Sequence, residues 1–182
     1  MSTIGQSYLQ TAIKRLKYYK DLGEKTFDQL TDSDFMYRPN EASNSICVII
    51  QHLSGNMLSR WTNFLTEDGE KEWRNRDREF NEAPQSKLEL IQLWEKGWAC
   101  MFDSLQSLHD EDLLKTIYIR QEALQAVDAI NRQLAHYPYH VGQIVYIGRL
   151  IKDMQWKNLS IPVGQSDQYN KSTGIKDPSK NY

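Results

Sequence analysis

Apolar residues recur every three or four positions along most of the chain, the spacing typical of amphipathic α-helices. Two such segments cover residues 3–30 and 43–65, and Ser43 and Asn44 are candidate N-caps of the second. The apolar positions of the second segment are Ile46, Ile50, Leu53, Met57, Trp61 and Phe64. Their regular spacing predicts a helix that buries one face.

A polar segment, residues 66–84, interrupts the helical pattern after the second helix. Loops of this length are usually functional or disordered. The helical pattern resumes after this segment. We place the start of the third helix at Pro84, because proline is favoured at the first position of a helix. The apolar positions of this third predicted helix are Leu88, Ile91, Trp94, Trp98 and Leu105.

A short extended piece at residues 116–120 precedes the fourth predicted helix, which covers residues 123–151. The apolar positions of this helix are Val127, Ile130, Leu134, Val141 and Val145. Four helices are enough to enclose a core, so the pattern predicts an all-α protein with a long loop between helices 2 and 3.

Residues 27–35 and 105–113 share the pattern apolar-x-x-Leu-x-Asp-x-Asp-apolar, and each closes a long helix. This faint internal repeat divides the chain into two helical hairpins and makes the second and fourth helices equivalent. It also places His109 in a turn, aligned with Thr31. We therefore expect His109 to be exposed to solvent.

The composition fits one domain of ordinary size, because 40% of the 182 residues are hydrophobic. We assign residues 1–165 to this domain and residues 166–182 to a polar C-terminal tail. Cys47 and Cys100 are too few for a disulfide framework, which agrees with a reducing compartment.

The charge and the apolar runs restrict the partners of the protein. A formal net charge of -2 offers no basic field to nucleic acid. The N-terminus has no signal pattern, and no apolar run is long enough to span a membrane. We expect a cytoplasmic protein without nucleic-acid or membrane partners.

Three of the four histidines lie where two helices could bring them together. At roughly 100° per residue, His52 lies about 120° or more from the centre of the apolar stripe of its helix. His136 and His140 lie about 40° apart on one face of the fourth helix. Histidines at i and i+4, completed by a third ligand from elsewhere, form a metal site with open coordination positions. A structural helix bundle without metal, whose histidines are hydrogen-bonded within the protein, is the alternative.

Pro138 lies between the two histidines of the fourth helix and complicates the interpretation. It cannot donate a hydrogen bond to the Leu134 carbonyl, and it disfavours helical geometry at Tyr137. Two interpretations stay open: a break that separates the histidines, or a kink retained beside a functional site.

Four ordered motifs resemble the DinB/YfiT superfamily of metal-dependent proteins, and within it a subfamily of unknown function. They are NSICVIIQHLSGNMLSRWTNFL, DGEKEWRNRDREF, RQLAHYPYHVGQIVYIGRL and LSIPVGQS, and the resemblance covers roughly residues 5–170. It implies an up-and-down four-helix bundle with one divalent transition metal held by His52, His136 and His140. Nitrogen ligands suit zinc, nickel, iron and copper alike. Val163 stands where the family pattern has a basic residue, so no charge role is implied there.

Polar residues near the histidines are candidates for supporting roles. Asn56 follows His52 by one turn and Gln143 follows His140 by three residues, so each could orient a ligand or a bound water, and plain helix-surface polarity explains them equally well. The loop segment at 74–79 alternates Arg74, Arg76 and Arg78 with acidic residues. This segment could bind a carboxylate or phosphate, but an ion-paired clamp within the loop is the favoured interpretation.

The superfamily includes enzymes that transfer a low-molecular-weight thiol, such as bacillithiol, to an electrophile. The resemblance thus implies a metal-dependent thiol (S-)transferase that acts on small electrophiles, and the family habit together with the 5 Trp and 10 Tyr suggests a homodimer. The alternatives are a non-catalytic metal-binding or interaction module and a hydrolase that uses a metal-bound water. Neither a Ser/His/Asp nor a Cys/His arrangement stands out, so the catalytic residues stay unassigned.

Overall fold

The computed structural model describes residues 2–81, 86–174 and 177–182. The protein is mostly helical, as predicted. Its helices are α1 (Ile4–Phe27), α2 (Ile46–Trp61), α3 (Lys87–Ser107), α4 (Ala126–Lys152) and the short α5 (Ser166–Lys171), and the strands β1 (Thr116–Ile119) and β2 (Glu122–Gln125) form an antiparallel hairpin before α4. In the described part of the chain, no helix is both long and apolar enough to cross a membrane.

Side-chain caps determine where the long helices begin, and they correct two of the predicted starts. Ser45, rather than Ser43 or Asn44, caps α2 by accepting a hydrogen bond from the Val48 amide. Ser86 caps α3 in a capping box, so α3 begins after the predicted start at Pro84, which lies outside the described residues.

The end of α2 also differs from the prediction. The helix stops at Trp61, four residues before the predicted end, because the chain turns at Asn63 with a left-handed φ of 52°. Phe64 nevertheless stays buried after the turn, so the whole predicted stripe of α2 contributes to the core.

The four long helices pack around one apolar core, and most predicted apolar positions face it. Leu88 is an exception: it is 66% exposed, and Leu90 takes the inner position at the start of α3. In α4 the fully buried side chains include Ile130, Tyr137 and Val141, whereas Val127, Leu134 and Val145 lie at the edge of the core.

The hairpin replaces the first residues of the predicted fourth helix. Residues 122–125 pair with β1, although Glu, Ala, Leu and Gln all favour helices, so tertiary pairing overrides local propensity. Arg120 and Gln121 form the two-residue turn with left-handed φ values of 57° and 65°. The Asp68 carboxylate accepts hydrogen bonds from both of their backbone amides and so joins the long loop to the hairpin.

Contacts between helices fix their directions. Lys20 forms an ion pair with Glu95, and Lys87 donates to the Phe27 carbonyl, so α1 and α3 are antiparallel. The Tyr8 hydroxyl donates to Asn131 near the starts of α1 and α4, while Thr26 lies against Gly148 near their ends. Helices α1 and α4 are therefore parallel.

The contacts between α2 and α4 show that the predicted up-and-down order of the helices is wrong. His52 near the start of α2 contacts His136, while Arg60 at the end of α2 approaches Arg120, which precedes α4. Helix α2 is thus antiparallel to α4 and parallel to α3. A parallel neighbour requires a long crossover connection, and residues 62–86 supply it.

The two repeated turns have the same hydrogen bond. The Thr31 amide donates to the Asp34 carboxylate at 2.7 Å, and the His109 amide donates to the Asp112 carboxylate at 2.7 Å. The predicted equivalence of these turns is confirmed at this level. The His109 side chain is 76% exposed, so its predicted exposure is also confirmed.

Pro138 does not break the fourth helix. Helix α4 is continuous from residue 126 to 152 with Pro138 inside it, so the interpretation in which the proline separates the two histidines is wrong. The C-terminal tail returns to α1, where Asp177 forms an ion pair with Arg15 at 3.1 Å.

Candidate metal centre

His52 of α2 and His136 and His140 of α4 meet at one point. The His136 Nε2 atom is 3.1 Å from Nε2 of His140 and 3.5 Å from Nε2 of His52. One ligand atom from each residue can be chosen so that all three lie within 4.8 Å of one another. In the described part of the chain, no other group of three metal-binding side chains is this close.

The other ring nitrogen of each histidine faces an oxygen atom. Nδ1 of His52 is 3.0 Å from Glu79 Oε2, and Nδ1 of His140 is 2.8 Å from Gln143 Oε1. Nδ1 of His136 is 3.2 Å from Gln133 Oε1. An Nδ1–H that donates to oxygen leaves the lone pair on Nε2, so the three Nε2 atoms face one another as acceptors.

Glu79 defines the direction of its hydrogen bond, because an ionised carboxylate can only accept, so Nδ1 of His52 is the donor. Arg74 holds the carboxylate by donating to both oxygens, at 2.8 and 3.0 Å. Burial alone would raise the pKa of Glu79, but the hydrogen bonds from His52 and Arg74 lower it below the usual value. Glu79 is therefore an anion beside the histidines at neutral pH.

The electrostatics keep two imidazoles neutral. Burial, together with the neighbouring His140 and His52, lowers the pKa of His136 to about 3. Burial also lowers the pKa of His140, although the hydrogen bond with Gln143 opposes the shift. Both rings thus carry a free lone pair at neutral pH, which is the form that binds a metal ion.

Two of the three separations between ligand nitrogens fit a single ion with tetrahedral ligands. Two nitrogens at about 2.1 Å from one ion lie roughly 3.4 Å apart at a tetrahedral angle. The observed separations of 3.1 and 3.5 Å agree with this value. Three protein ligands would leave coordination positions for a further molecule.

The two predicted supporting residues differ in their contacts. Gln143 contacts His140 directly. Asn56 instead accepts a hydrogen bond from the Tyr137 hydroxyl at 3.1 Å, and that hydroxyl accepts one from the Trp61 indole at 2.9 Å. Asn56 therefore belongs to a buried chain of hydrogen bonds beneath the histidines.

Sequence analysis missed Glu79 and Gln133 as partners of the histidines. Glu79 is 27 positions from His52 and lies in the long loop, so spacing gives no signal for it. Gln133 is three residues before His136, the same separation that marked Gln143, and the i, i+3 rule could have found it.

The three arginines of the loop have different positions. Arg74 forms the predicted ion-paired clamp with Glu79 and approaches Glu70 at 3.7 Å. The Arg76 guanidinium lies over the Phe80 ring, 5.0 Å from its centre, and the Phe80 ring packs against His52. Arg78 is exposed.

The histidines border a cavity of about 480 Å³, which we call the site cavity. Its wall is basic, and five arginines line it: Arg60, Arg74, Arg76, Arg120 and Arg132. None of the described residues that line it carries a carboxylate.

The fold and the site define a mostly helical protein in which two antiparallel helices present three converging histidines. The chain matches the family described as "Protein of unknown function (DUF1572)" over residues 3–165, and it belongs to that family. No curated protein and no solved structure matches the chain.

Proposed function

We propose that the protein is a DinB/YfiT-type four-helix bundle that binds one divalent transition metal and transfers a low-molecular-weight thiol to a small electrophile. The observation that carries the proposal is the convergence of three Nε2 atoms whose Nδ1 partners are all oxygens. Unprotonated nitrogens at such distances repel one another, and a shared cation removes the repulsion. His52, His136 and His140 would hold the ion.

The residues around the cavity favour a thiol over water as the nucleophile. A bound divalent ion would supply a Lewis acid that keeps a thiol in its thiolate form near neutral pH. Glu79 is engaged by His52 and Arg74, and no carboxylate lines the cavity in the described part of the chain. A bound metal ion would lower the pKa of either nucleophile, but a thiol starts from about 8.5 and water from about 15.7, so the thiol needs less assistance from a protein base.

The side chains of this protein would orient the reaction. Gln143, Gln133 and Glu79 hold the three imidazole rings, and the buried Tyr137–Asn56 hydrogen bond supports α2 and α4 at the same level. The thiolate sulfur forms a bond to the electrophilic carbon, and the leaving group departs with the electron pair of the broken bond.

A second cavity, of about 600 Å³, adjoins the site and suits the electrophile. Tyr139 lines both cavities, and Gln143, which contacts His140, lines the second one. None of the described residues that line the second cavity is charged. An uncharged electrophile would therefore enter there at a low cost in desolvation.

A conjugation assay tests this function. The protein, purified without a histidine tag and loaded with zinc, nickel or iron(II), is incubated with low-molecular-weight thiols and an electrophile such as monobromobimane, and the conjugate is quantified by mass spectrometry. We expect a metal-dependent rate that His136→Ala abolishes and His109→Ala leaves unchanged.

Two other results would overturn the transferase proposal. Metal-loaded protein that conjugates no thiol to any member of a broad electrophile panel would support a non-catalytic binding module. Products that contain water in place of the thiol would indicate a hydrolase.

A further inference from the structure

The arginines of the site cavity carry more positive charge than the protein neutralises. Glu70 forms ion pairs with Arg60 and Arg120, and Glu79 forms one with Arg74. Only two carboxylates, those of Glu70 and Glu79, form ion pairs with the five arginines among the described residues. Among the residues that the structure describes, neither Arg76 nor Arg132 forms an ion pair, although both line the cavity.

Arg76 is held in place by aromatic contacts that begin at the metal centre. Its guanidinium lies over Phe80, and the Phe80 and His52 rings are 5.2 Å apart. A guanidinium stacked on an aromatic ring keeps its N–H groups free for other partners, because the ring occupies one face only. Arg76 is thereby positioned without its donors being used.

Arg132 lines the cavity from helix α4. It precedes His136 by one turn of α4, which is about 6 Å along the helix axis. On α2, Arg60 follows His52 by two turns, or about 12 Å. Because the two helices are antiparallel, both arginines lie toward the same end of the cavity, with the histidines toward the other.

We infer that the site cavity binds a carboxylate or phosphate group of the thiol substrate, with Arg76 and Arg132 as its specificity-determining residues. The inference rests on the proposed function, because the group is attached to the molecule whose sulfur lies at the histidines. Guanidinium groups bind both kinds of anion through paired N–H donors. A cavity whose charged side chains are all basic also concentrates anions from solution. The separations between histidine and arginine along the two helix axes suit a molecule whose sulfur and anionic group are roughly 6–12 Å apart.

Three thiols of one length test the inference: 6-mercaptohexanol, 6-mercaptohexanoate and 6-mercaptohexyl phosphate. Each is titrated into the cobalt(II) form of the protein, and the sulfur-to-cobalt charge-transfer band reports binding. We expect at least one anionic thiol to bind about tenfold more tightly than the alcohol, the effect of one charged hydrogen bond. The tighter of the two anionic thiols identifies the group that the site prefers.

Variants assign the preference to the two arginines. In Arg76→Ala and Arg132→Ala, both at exposed positions, the preference for the anionic thiol should fall at least threefold, and in the double variant it should disappear. Arg78→Ala, an exposed arginine of the same loop outside the cavity, should keep the full preference. Equal binding of all three thiols to the unchanged protein, or a preference that survives the double variant, would overturn the inference.

A second readout separates this inference from the proposed function. The same three thiols are titrated calorimetrically into metal-free protein, where a weaker preference for the anionic thiols should remain. If cobalt does not bind, or no charge-transfer band develops, while the calorimetric preference persists and depends on both arginines, the anion site stands and the transferase proposal fails. If the band develops with every thiol but neither method detects a preference, the anion site is refuted and the transferase proposal stands.

Discussion

His136 and His140 hold their Nε2 atoms 3.1 Å apart across one turn of α4, and a glutamine oxygen faces Nδ1 of each ring. The turn that joins them contains Pro138, yet the helix is continuous. The Nε2 lone pairs of His136 and His140 therefore point toward one position. Nε2 of His52, on α2, faces the same position.

The two glutamines should therefore strengthen metal binding without contacting the metal. Replacement of Gln133 or Gln143 by Ala removes the acceptor that orients the ring, so we expect the affinity for zinc to fall about 10–100-fold. Competition with a chromophoric chelator measures this affinity. Gln106→Ala, at an exposed position of α3, is the matched control and should leave the affinity unchanged.

The Asp68 carboxylate should make the stability of the loop and hairpin depend on pH. Burial alone would raise its pKa, but hydrogen bonds from the backbone amides of Glu70, Gln121 and Arg120 lower it. A lowered folded-state pKa means that the stabilisation is present above the ordinary Asp pKa of about 3.9 and is lost as the pH falls through the folded value.

Asp68→Ala should thus lower the free energy of unfolding by about 1–2 kcal/mol at pH 7, because exposed hydrogen bonds of this kind contribute modestly. The difference from the unchanged protein should shrink below about pH 4. Urea unfolding at several pH values measures it, with the exposed Asp103→Asn as the control. A difference that stays constant down to pH 3 would refute the role of the Asp68 charge.

The fold depends on a close approach between α2 and α3 at Gly97. A Cβ atom there would lie 3.0 Å from the Ser54 Cα atom and 3.2 Å from the Met57 sulfur. Gly97→Ala should lower the free energy of unfolding by about 1–3 kcal/mol, since backbone atoms must move. Gly142→Ala in α4, where a Cβ atom would meet nothing within 4 Å, should raise it by up to about 1 kcal/mol. Equal effects of the two substitutions would contradict this account.

We expect the protein to self-associate as a homodimer, because its sequence is rich in aromatic residues, with 5 Trp and 10 Tyr. Light scattering at micromolar concentration measures the state of the unchanged protein. A monomer would refute the expectation.

Helical periodicity alone predicts much of the site. His52 lies on the flank of the α2 stripe, and the i, i+4 spacing places His136 and His140 on one face of α4; these relationships are local and survive folding unchanged. The equivalence of the two turns, at Thr31 and His109, is local for the same reason.

Interactions between distant segments could not be predicted from the sequence. The contact between Glu79 and His52 depends on the path of the crossover loop, and the pairing of residues 122–125 depends on β1. The directions of α2 and α3 were missed because a long loop can join either parallel or antiparallel helices. The five arginines of the cavity come from the crossover loop, the hairpin turn, α2 and α4, so no single motif contains them.

The metal content of protein purified without a histidine tag is the most direct test of the three-histidine metal centre. After exposure to zinc, nickel and iron(II) and removal of the excess, elemental analysis should find about one bound ion per chain in the unchanged protein and in His109→Ala. It should find none in His136→Ala that remains folded by circular dichroism. A metal content no higher than background in the unchanged protein would contradict the three-histidine centre. So would one bound ion per chain in His136→Ala.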